Sequence, residues 1–511
     1  MARYRHYDPE QTKLIAISYA RQLLPGTFEH ALSYLVDNEV DLEPFAARFN
    51  NDETGAPAYD PAVLLKVVLF AYSRGITSSR MMARACTENV VFIALACDQQ
   101  PHFTTLAHFV STLGKEVGAV FRDVLMVCDK QGLIGKQMFA IDGCKLPSNA
   151  SKEWSGTHAD FERKAAKMER AVTYMVNTHA AQDAAEASSP DDALRRAHEE
   201  RTVATLRKNA QKLRTARTKT QERTGAKGTP IKQNLTDPDS ATLKGSHGVV
   251  QGYIGVAAVD AQHQVIVEAQ AHGVPQEHDL LKPVIDGVRD HFTAMGATDG
   301  LDKAAFLADA GYHSERGLAD LAIDKIDGYI ADGQMRQRDP RYADAGLHKP
   351  ASKALRFRPK DFTFDPQQGT CVCPAQHALK LNSANAVING RKATVFTGTA
   401  ATCAGCPLRA QCLRKPDVTR VRQVAFFKGV VEGKLPNPHC RAMRVKIDST
   451  RGRAIYAQRM GIIEPVFGHI QQRGLRRFTL RGKAKIDAQW KLFCVVHNVA
   501  KLQQYGNLPT Q

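Results

Sequence analysis

The sequence predicts an α/β protein: a mixed sheet core with helices, preceded by an all-helical N-terminal domain and interrupted by two insertions, a helical hairpin and a Cys-rich segment. Three observations predict this. Two short apolar runs, Phe139-Ala140-Ile141 and Ala305-Phe306-Leu307-Ala308, each lead into an aspartate, Asp142 and Asp309, and read as buried strands. Strand-like and helix-like runs alternate between 249 and 331, as an α/β layer requires. Heptad-like apolar spacing fills the gap after the first strand.

Residues 1–130 read as helical. Asp60 caps a helix that starts at Pro61 and buries Val63, Leu64, Val67, Val68, Phe70 and Ala71, with Gly75 ending it. Ser78 or Ser79 caps a second helix running through Met81 to Ile93. A third follows Pro101, capped by Thr104 or Thr105, with Leu106, Phe109, Val110 and Leu113 as its buried stripe. Short capped helices fit a helix-turn-helix DNA reader and a plain bundle equally.

Residues 131–335 hold the first part of the core, with the hairpin at about 155–245. Phe161, Ala165, Met168, Val172 and Met175 mark one arm; Val203, Leu206, Ala210 and Leu213 mark the other. A small, polar connection around 180–192 joins them. The second arm carries Arg207, Lys208, Lys212, Arg214, Arg217 and Lys219, which suits either a solvated coiled-coil face or an arm that grips DNA. Val249–Val256 and Gln264–Ala269 form a β-hairpin turning at Asp260–His263. A helix from about Asp279, the strand ending at Asp309, a helix over Ser314–Ile323 and a strand over Gly328–Ala331 follow. Residues 336–450, rich in Arg, Pro and Cys, break the rhythm and read as an irregular, strand-poor insertion. Residues 451–511 resume the core with a helix carrying Glu464 and a last helix, 484–503, burying Ile486, Trp490, Phe493 and Val496.

The chain of 511 residues carries 69 Lys and Arg against 52 Asp and Glu, a net charge of +17, which favours a polyanionic partner. A basic enzyme with no nucleic-acid role is the plainer reading. No apolar run approaches the length of a membrane span, and the start lacks the apolar core of a signal peptide. The expectation is a cytoplasmic protein whose 11 cysteines stay reduced.

Taken singly, Asp142 and Asp309 could close strand turns, and Glu464, just before Pro465, could be a first-turn glutamate favoured by the helix dipole. Taken together, both aspartates should stand at the carboxyl edge of one sheet, where ligands bind, with a helix bringing Glu464 into reach. Such a triad suits two divalent ions about 3.5–4 Å apart, Mg²⁺ or Mn²⁺ rather than zinc. No Ser-His-Asp grouping and no Walker-type glycine loop competes. Cys403-x-x-Cys406, with Cys412 behind and Cys373 upstream, has the spacing of a closed four-thiolate zinc site. Cys371 or His377 could replace Cys373. Scattered buried thiols and an iron–sulfur cluster are the alternatives.

The order of these pieces resembles the DDE transposases of bacterial insertion sequences. The resemblance rests on Asp142-Gly143-x-Lys145, Asn234-Leu235-Thr236-Asp237-Pro238-Asp239-Ser240, Gln251-Gly252-Tyr253, Asp309-Ala310-Gly311-Tyr312, Tyr456-x-x-Arg459 and Glu464-Pro465-Val466-Phe467-Gly468. It implies an RNase H-like core in which Asp142, Asp309 and Glu464 bind two Mg²⁺. It implies that Tyr456 and Arg459 accompany the glutamate, Arg459 orienting a phosphate or the metal-bound carboxylates. It also implies DNA as partner, through terminal inverted repeats and target, with a homodimer on DNA and association with the bacterial nucleoid. Two departures stand out. The spacing from Arg459 to Glu464 is one residue longer than the commonest form, and Gln471 occupies a position that many relatives give to Lys. Arg473, Arg476, Arg477 or Arg481 could supply that charge. The rival functions are a nuclease of the same fold that cuts without joining and a non-catalytic zinc-containing DNA-binding protein.

Overall fold

The computed structural model describes residues 18–46, 57–183, 190–219, 221–224, 228–245, 248–298, 301–342, 356–388, 391–428 and 437–509. The opening residues, read above for a signal peptide, and the tip of the helical hairpin lie outside these. The chain divides into two compact units, Asp332–Asp448 and the remainder. No helix among the described residues is long and apolar enough to cross a membrane.

In the larger unit, besides the one-turn helices Tyr19–Gln22 and Glu43–Ala46, the described residues open with α1 (Phe28–Asn38), α2 (Pro61–Ser73), α3 (Ser79–Glu88), α4 (Val90–Leu95), α5 (Phe103–Thr112) and α6 (Lys115–Lys130). Asp60 caps α2 through the Ala62 amide, with Pro61 in the first turn. The expected single helix from Ser79 to Ile93 is instead broken at Asn89. The Asn89 carboxamide accepts from the Val91 and Phe92 amides and so opens a new helix, α4. The cap of α5 is the His102 ring, which accepts from the Thr104 amide, rather than Thr104 or Thr105.

The sheet holds β1 (Met138–Pro147), β2 (Ala241–Gly245), β3 (Gly248–Asp260), β4 (Ile266–His272), β5 (Ala305–Ala308) and β6 (Asp327–Ile330). Its order is β2-β3-β1-β5-β6, and β4 shares with β2 the far edge of β3. β1 and β3 are antiparallel; β1 and β5, and β5 and β6, are parallel. These directions in this order are an RNase H-like core. The register corrects one expectation. Asp142 is not at the end of its strand, because β3 continues to pair with β1 as far as Pro147 opposite Gly252. What ends is β5, whose Ala308 lies opposite Ile141. Asp142 and Asp309 are therefore the next residues in step on neighbouring strands.

Between β1 and β2 stands the hairpin of α7 (His158–Asp183) and α8 (Pro190–Lys219). Phe161, Ala165, Ala210 and Leu213 are its buried seam, with Trp154 and Leu235 packed against them. Part of the basic arm is neutralised within the hairpin: Arg214 bonds Glu162 and Glu169, and Arg217 bonds Glu162. Asp237 ties the base of the insertion to the core. Its buried carboxylate accepts from the Tyr253 hydroxyl (2.6 Å), the Ser148 hydroxyl (3.2 Å) and the Gly482 amide (3.1 Å).

Helices α9 (Leu281–Ala294) and α10 (Glu315–Ile323, capped by Ser314) follow β4 and β5. In the smaller unit β7 (Thr363–Asp365), β8 (Thr370–Val372), β9 (Ala378–Ile388), β10 (Arg391–Thr397) and β11 (Gln423–Phe427) make an antiparallel sheet in the order β11-β10-β9-β8-β7. The insertion is thus not strand-poor. Phe362, Cys371, Leu379, Phe396 and Val424 give its sheet an apolar face, and Phe364 stacks on Phe426. Helices α11 (Ala400–Ala404), α12 (Arg409–Cys412) and α13 (Pro438–Asp448) belong to the same unit. Arg338 bonds both Asp332 and Asp448, pinning the ends of this insertion together.

The larger unit closes with α14 (Thr450–Gln472) and α15 (Lys483–Tyr505). Trp490 of α15 donates its indole N–H to the Val256 carbonyl, and Asn498 bonds both the N–H and the C=O of Ile266. Pro465 does not open a helix; α14 runs straight through it. A proline leaves the carbonyl four residues back without its helical partner. That carbonyl, Gly461, accepts instead from the Gln264 side-chain amide at 3.0 Å.

Candidate active site

The site forms where β5 stops beside β1. Asp142 accepts the Gly143 amide on one oxygen (2.7 Å) and the Arg459 guanidinium on the other (2.6 Å). Asp309 accepts the Gly311 amide at 2.8 Å. Arg459 is buried on the inward stripe of α14 with Ile462, Ile463 and Val466, so the helix delivers it to the sheet edge. Burial raises the Asp142 carboxyl above the ordinary range; Arg459 pulls the other way and Asp309 adds to the rise. Cys144, two residues on, is pushed to about 12 by burial and the nearby Asp142, so it is a packed thiol and not a nucleophile.

A third carboxylate, unsuspected from the sequence, joins the two aspartates. Glu277 lies in the loop between β4 and α9, and its side chain is 11% exposed. A Cβ at Gly143 would lie 3.2 Å from one Glu277 oxygen and 3.3 Å from the Tyr312 hydroxyl. A Cβ at Gly311 would lie 2.7 Å from the other Glu277 oxygen and 2.9 Å from Asp309. The two glycines therefore leave room for the Glu277 carboxylate between the strands. Lys145 approaches Glu277 to 3.7 Å. Burial raises the Glu277 carboxyl, Lys145 opposes this, and Asp309 and Asp142 add to it. Tyr312 is fully buried, and its hydroxyl has no hydrogen-bond partner among the described residues. Burial lifts its pKa well above the ordinary value, with Glu277, Asp142 and Asp309 pushing further. It is a neutral donor aimed at an acidic centre. No signal in the sequence marks Glu277, because only the fold brings its loop to the strand ends.

Glu464 is not among these groups. It is exposed on α14, off the stripe that carries Arg459, whereas the acidic groups that act on Asp142, Glu277 and Tyr312 are one another and Asp309. Tyr456 is half-buried on the same helix, close enough to Arg459 to influence its charge. Arg476 is exposed. Arg477 and Arg481 reach Asn149, the first to its side chain and the second to its carbonyl, just past the end of β1. Arg473 points elsewhere: it is half-buried and donates to the Val496 carbonyl.

No three His, Cys, Asp or Glu side chains among the described residues are gathered as a closed set of metal ligands. At the acidic centre the reason is visible, since Asp142 spends both oxygens on protein donors. The donor set there is nevertheless all hard oxygen, with the unpartnered Tyr312 hydroxyl beside it, and this fits Mg²⁺ or Mn²⁺.

In the smaller unit Cys373, Cys403, Cys406 and Cys412 line one small cavity with His377. Burial pushes the Cys412 thiol up, Arg422 opposes, and Cys403, Cys373 and Cys406 are near enough to add to the rise. The His377 amide donates to the Cys373 sulfur at 3.4 Å. Cys371 is buried in the apolar core, against which Cys373 and Cys412 also pack, and is not among the residues lining the cavity.

Comparison with known families adds two matches. Residues 372–503 match the family described as Transposase DDE domain, and residues 18–112 match Transposase domain (DUF772). Both matches are to transposase domains. The DDE match takes in Cys373–Cys412, Tyr456, Arg459 and Glu464; the other takes in α1 to α5. Asp142, Glu277 and Asp309 lie between the two matched segments. No curated protein matches the chain.

Proposed function

We propose that this chain is a DDE transposase, which binds the terminal inverted repeats of a mobile element, cuts the DNA there and joins the freed ends to target DNA. The observation that carries the reading is the stepped pair Asp142 and Asp309 on neighbouring parallel strands of an RNase H-like core, with Arg459 delivered to Asp142 by the helix that also carries Glu464. The transposase-domain matches on either side support it. Asp142 and Asp309, joined by Glu464 swung in from the exposed face of α14 where it now stands apart from them, would hold two Mg²⁺ or Mn²⁺, which would supply charge stabilisation for both the attacking and the leaving oxygen. Glu277 and the Tyr312 hydroxyl lie within the same pocket. Arg459 neutralises Asp142 and keeps a second edge of its guanidinium, the buried Nε that has no partner among the described residues, for a phosphate oxygen or a re-oriented carboxylate. Arg477 and Arg481, beside the end of β1, offer charge to the DNA backbone. In the first reaction water attacks the scissile phosphorus and a 3′-hydroxyl leaves. In the second that hydroxyl attacks a target phosphodiester, exchanging one P–O bond for another.

The test is incubation of the purified chain with donor DNA bearing the element ends and a supercoiled target. Asp142→Asn and Asp309→Asn should each lower cleavage by about a thousandfold or more while leaving DNA affinity in place. Cut ends without joined products would favour the nuclease reading. Unimpaired cleavage by both variants would overturn the assignment.

For the smaller unit we infer a structural Zn²⁺ on Cys373, Cys403, Cys406 and Cys412. The shared cavity and the amide bond to the Cys373 sulfur support this reading. Cys406→Ser should lose bound zinc and lower the melting temperature without changing the rate of the folded fraction. Full wild-type stability after zinc removal by a chelator would sink it.

A further inference from the structure

A cavity of about 360 Å³ lies in the larger unit, lined by Arg74, Arg473, Lys501, His469 and His497 together with Ser73, Ala500 and two glutamines. No carboxylate appears among the described residues that line it. Lys501 is buried, 6% exposed, and its ammonium donates to a neutral acceptor, the Gln264 side-chain oxygen at 3.1 Å. Arg473 likewise donates to a neutral carbonyl, Val496. Arg74 has a carboxylate in reach, Glu29 at 3.7 Å.

The charge balance is simple. Arg74 closes α2, Arg473 closes α14 and Gln504 lies in the last turn of α15, so three helix carboxyl ends face this region, each worth about half a negative charge. Arg74 is offset by Glu29. Arg473 and Lys501 remain, two full cations against about one and a half units of helix charge. A surplus of about half a positive charge is thus left partly buried, where an uncompensated charge is costly. Burial pulls the Lys501 ammonium down, and Arg473 pushes it the same way. The His497 ring is held neutral by burial, at about 3. Gln472 and Gln504 offer amide donors at the rim, while the Ser73 hydroxyl is spent on the Phe70 carbonyl.

We propose that this cavity binds a phosphate oxyanion. A planar guanidinium, an ammonium and amide donors converging from three helices match the several acceptor oxygens of phosphate. The volume exceeds what a halide needs. The source is either a backbone phosphate of bound DNA or free phosphate, and one experiment separates them.

The experiment is thermal unfolding of the full chain with and without inorganic phosphate at matched ionic strength, for wild type and Lys501→Met. Wild type should melt higher in phosphate. Lys501→Met should lose that shift. Without phosphate it should melt close to wild type, since a buried charge with no carboxylate partner, held only by Gln264 and the Tyr505 ring, has been replaced by a methionine of similar length. A residue that merely holds the fold would instead lower the melting temperature in both conditions. Arg473→Gln repeats the comparison if Lys501→Met does not fold. No phosphate shift in wild type, or the same shift in the variants, overturns the proposal. In parallel, DNA affinity is measured against salt. A slope reduced by about one in Lys501→Met identifies the ligand as a DNA phosphate. An unchanged slope with a lost phosphate shift identifies free phosphate. The cavity does not depend on the acidic centre, so Asp142→Asn should respond to phosphate as wild type does.

Discussion

Two buried carboxylates burden the core in different ways. Asp142 has Arg459 for compensation, whereas Glu268 on β4 is lifted to about 7 by burial, with Lys491 opposing only in part. For Glu268 the folded value lies above the unfolded one, so its contribution is fully present below the unfolded carboxyl range and is lost as pH rises through about 7. Glu268→Gln never ionises. Relative to wild type it should gain stability as pH climbs from about 5 to about 8, by at most about 3 kcal/mol. Denaturant midpoints at several pH values check this, and a gap that does not widen would refute it. At Gly143 the prospect is different. An alanine methyl would sit 2.6 Å from Ile254 and press on Glu277 and Tyr312, so Gly143→Ala should cost roughly 1–3 kcal/mol and impair cleavage as well. Asp142 and Asp309 could be read from the sequence because an apolar run leading into Asp is a local signal. Glu277 could not, because its loop reaches the site only through the pairing of β3 with β1 and β4.

At the scale of elements, α14 depends on a residue far from it in sequence. Gln264, in the turn before β4, supplies the amide that Pro465 denies to Gly461, and its own carbonyl accepts from the His497 ring. Gln264→Ala should therefore destabilise the chain by about 1 kcal/mol. In a Pro465→Ala background, where a backbone N–H is restored to Gly461, the same change should cost less. A double-mutant cycle with no coupling would refute this link. Nothing at Pro465 itself announces a through-running helix; local rules place a proline at a helix start. Asn89 is the converse case, where a good cap splits what apolar spacing alone reads as one helix. In the smaller unit, the composition in Arg, Pro and Cys hid five short strands whose stability comes from aromatic packing across the sheet, which no local spacing shows.

For the whole molecule, the net charge of +17 is the property most directly open to measurement. DNA affinity should fall linearly on a log–log plot against salt, with a slope set by the number of phosphates neutralised. Arg214 and Arg217 are engaged by Glu162 and Glu169, so replacing them should change the slope less than replacing Arg207 and Lys208. Slopes unchanged from wild type for both pairs would show that the hairpin does not touch DNA. The fold class was legible because buried strands and amphipathic helices leave different periods in the sequence. The length of β1 was not, because a strand ends where its partners end, and β3 and β5 end six residues apart along it.

That mismatch gives β1 one edge free of β5 beyond Ile141. The parallel pairing turns odd-numbered backbone groups toward β5: the Gln137 carbonyl accepts from Ala305, and farther along the Pro147 carbonyl is taken on that side by Phe478. By the two-residue alternation of a strand, the Lys145 amide faces the gap between them. Deuterium uptake at this single amide becomes a local clock, running fast in the free chain and slowing when a DNA strand lies along the opening.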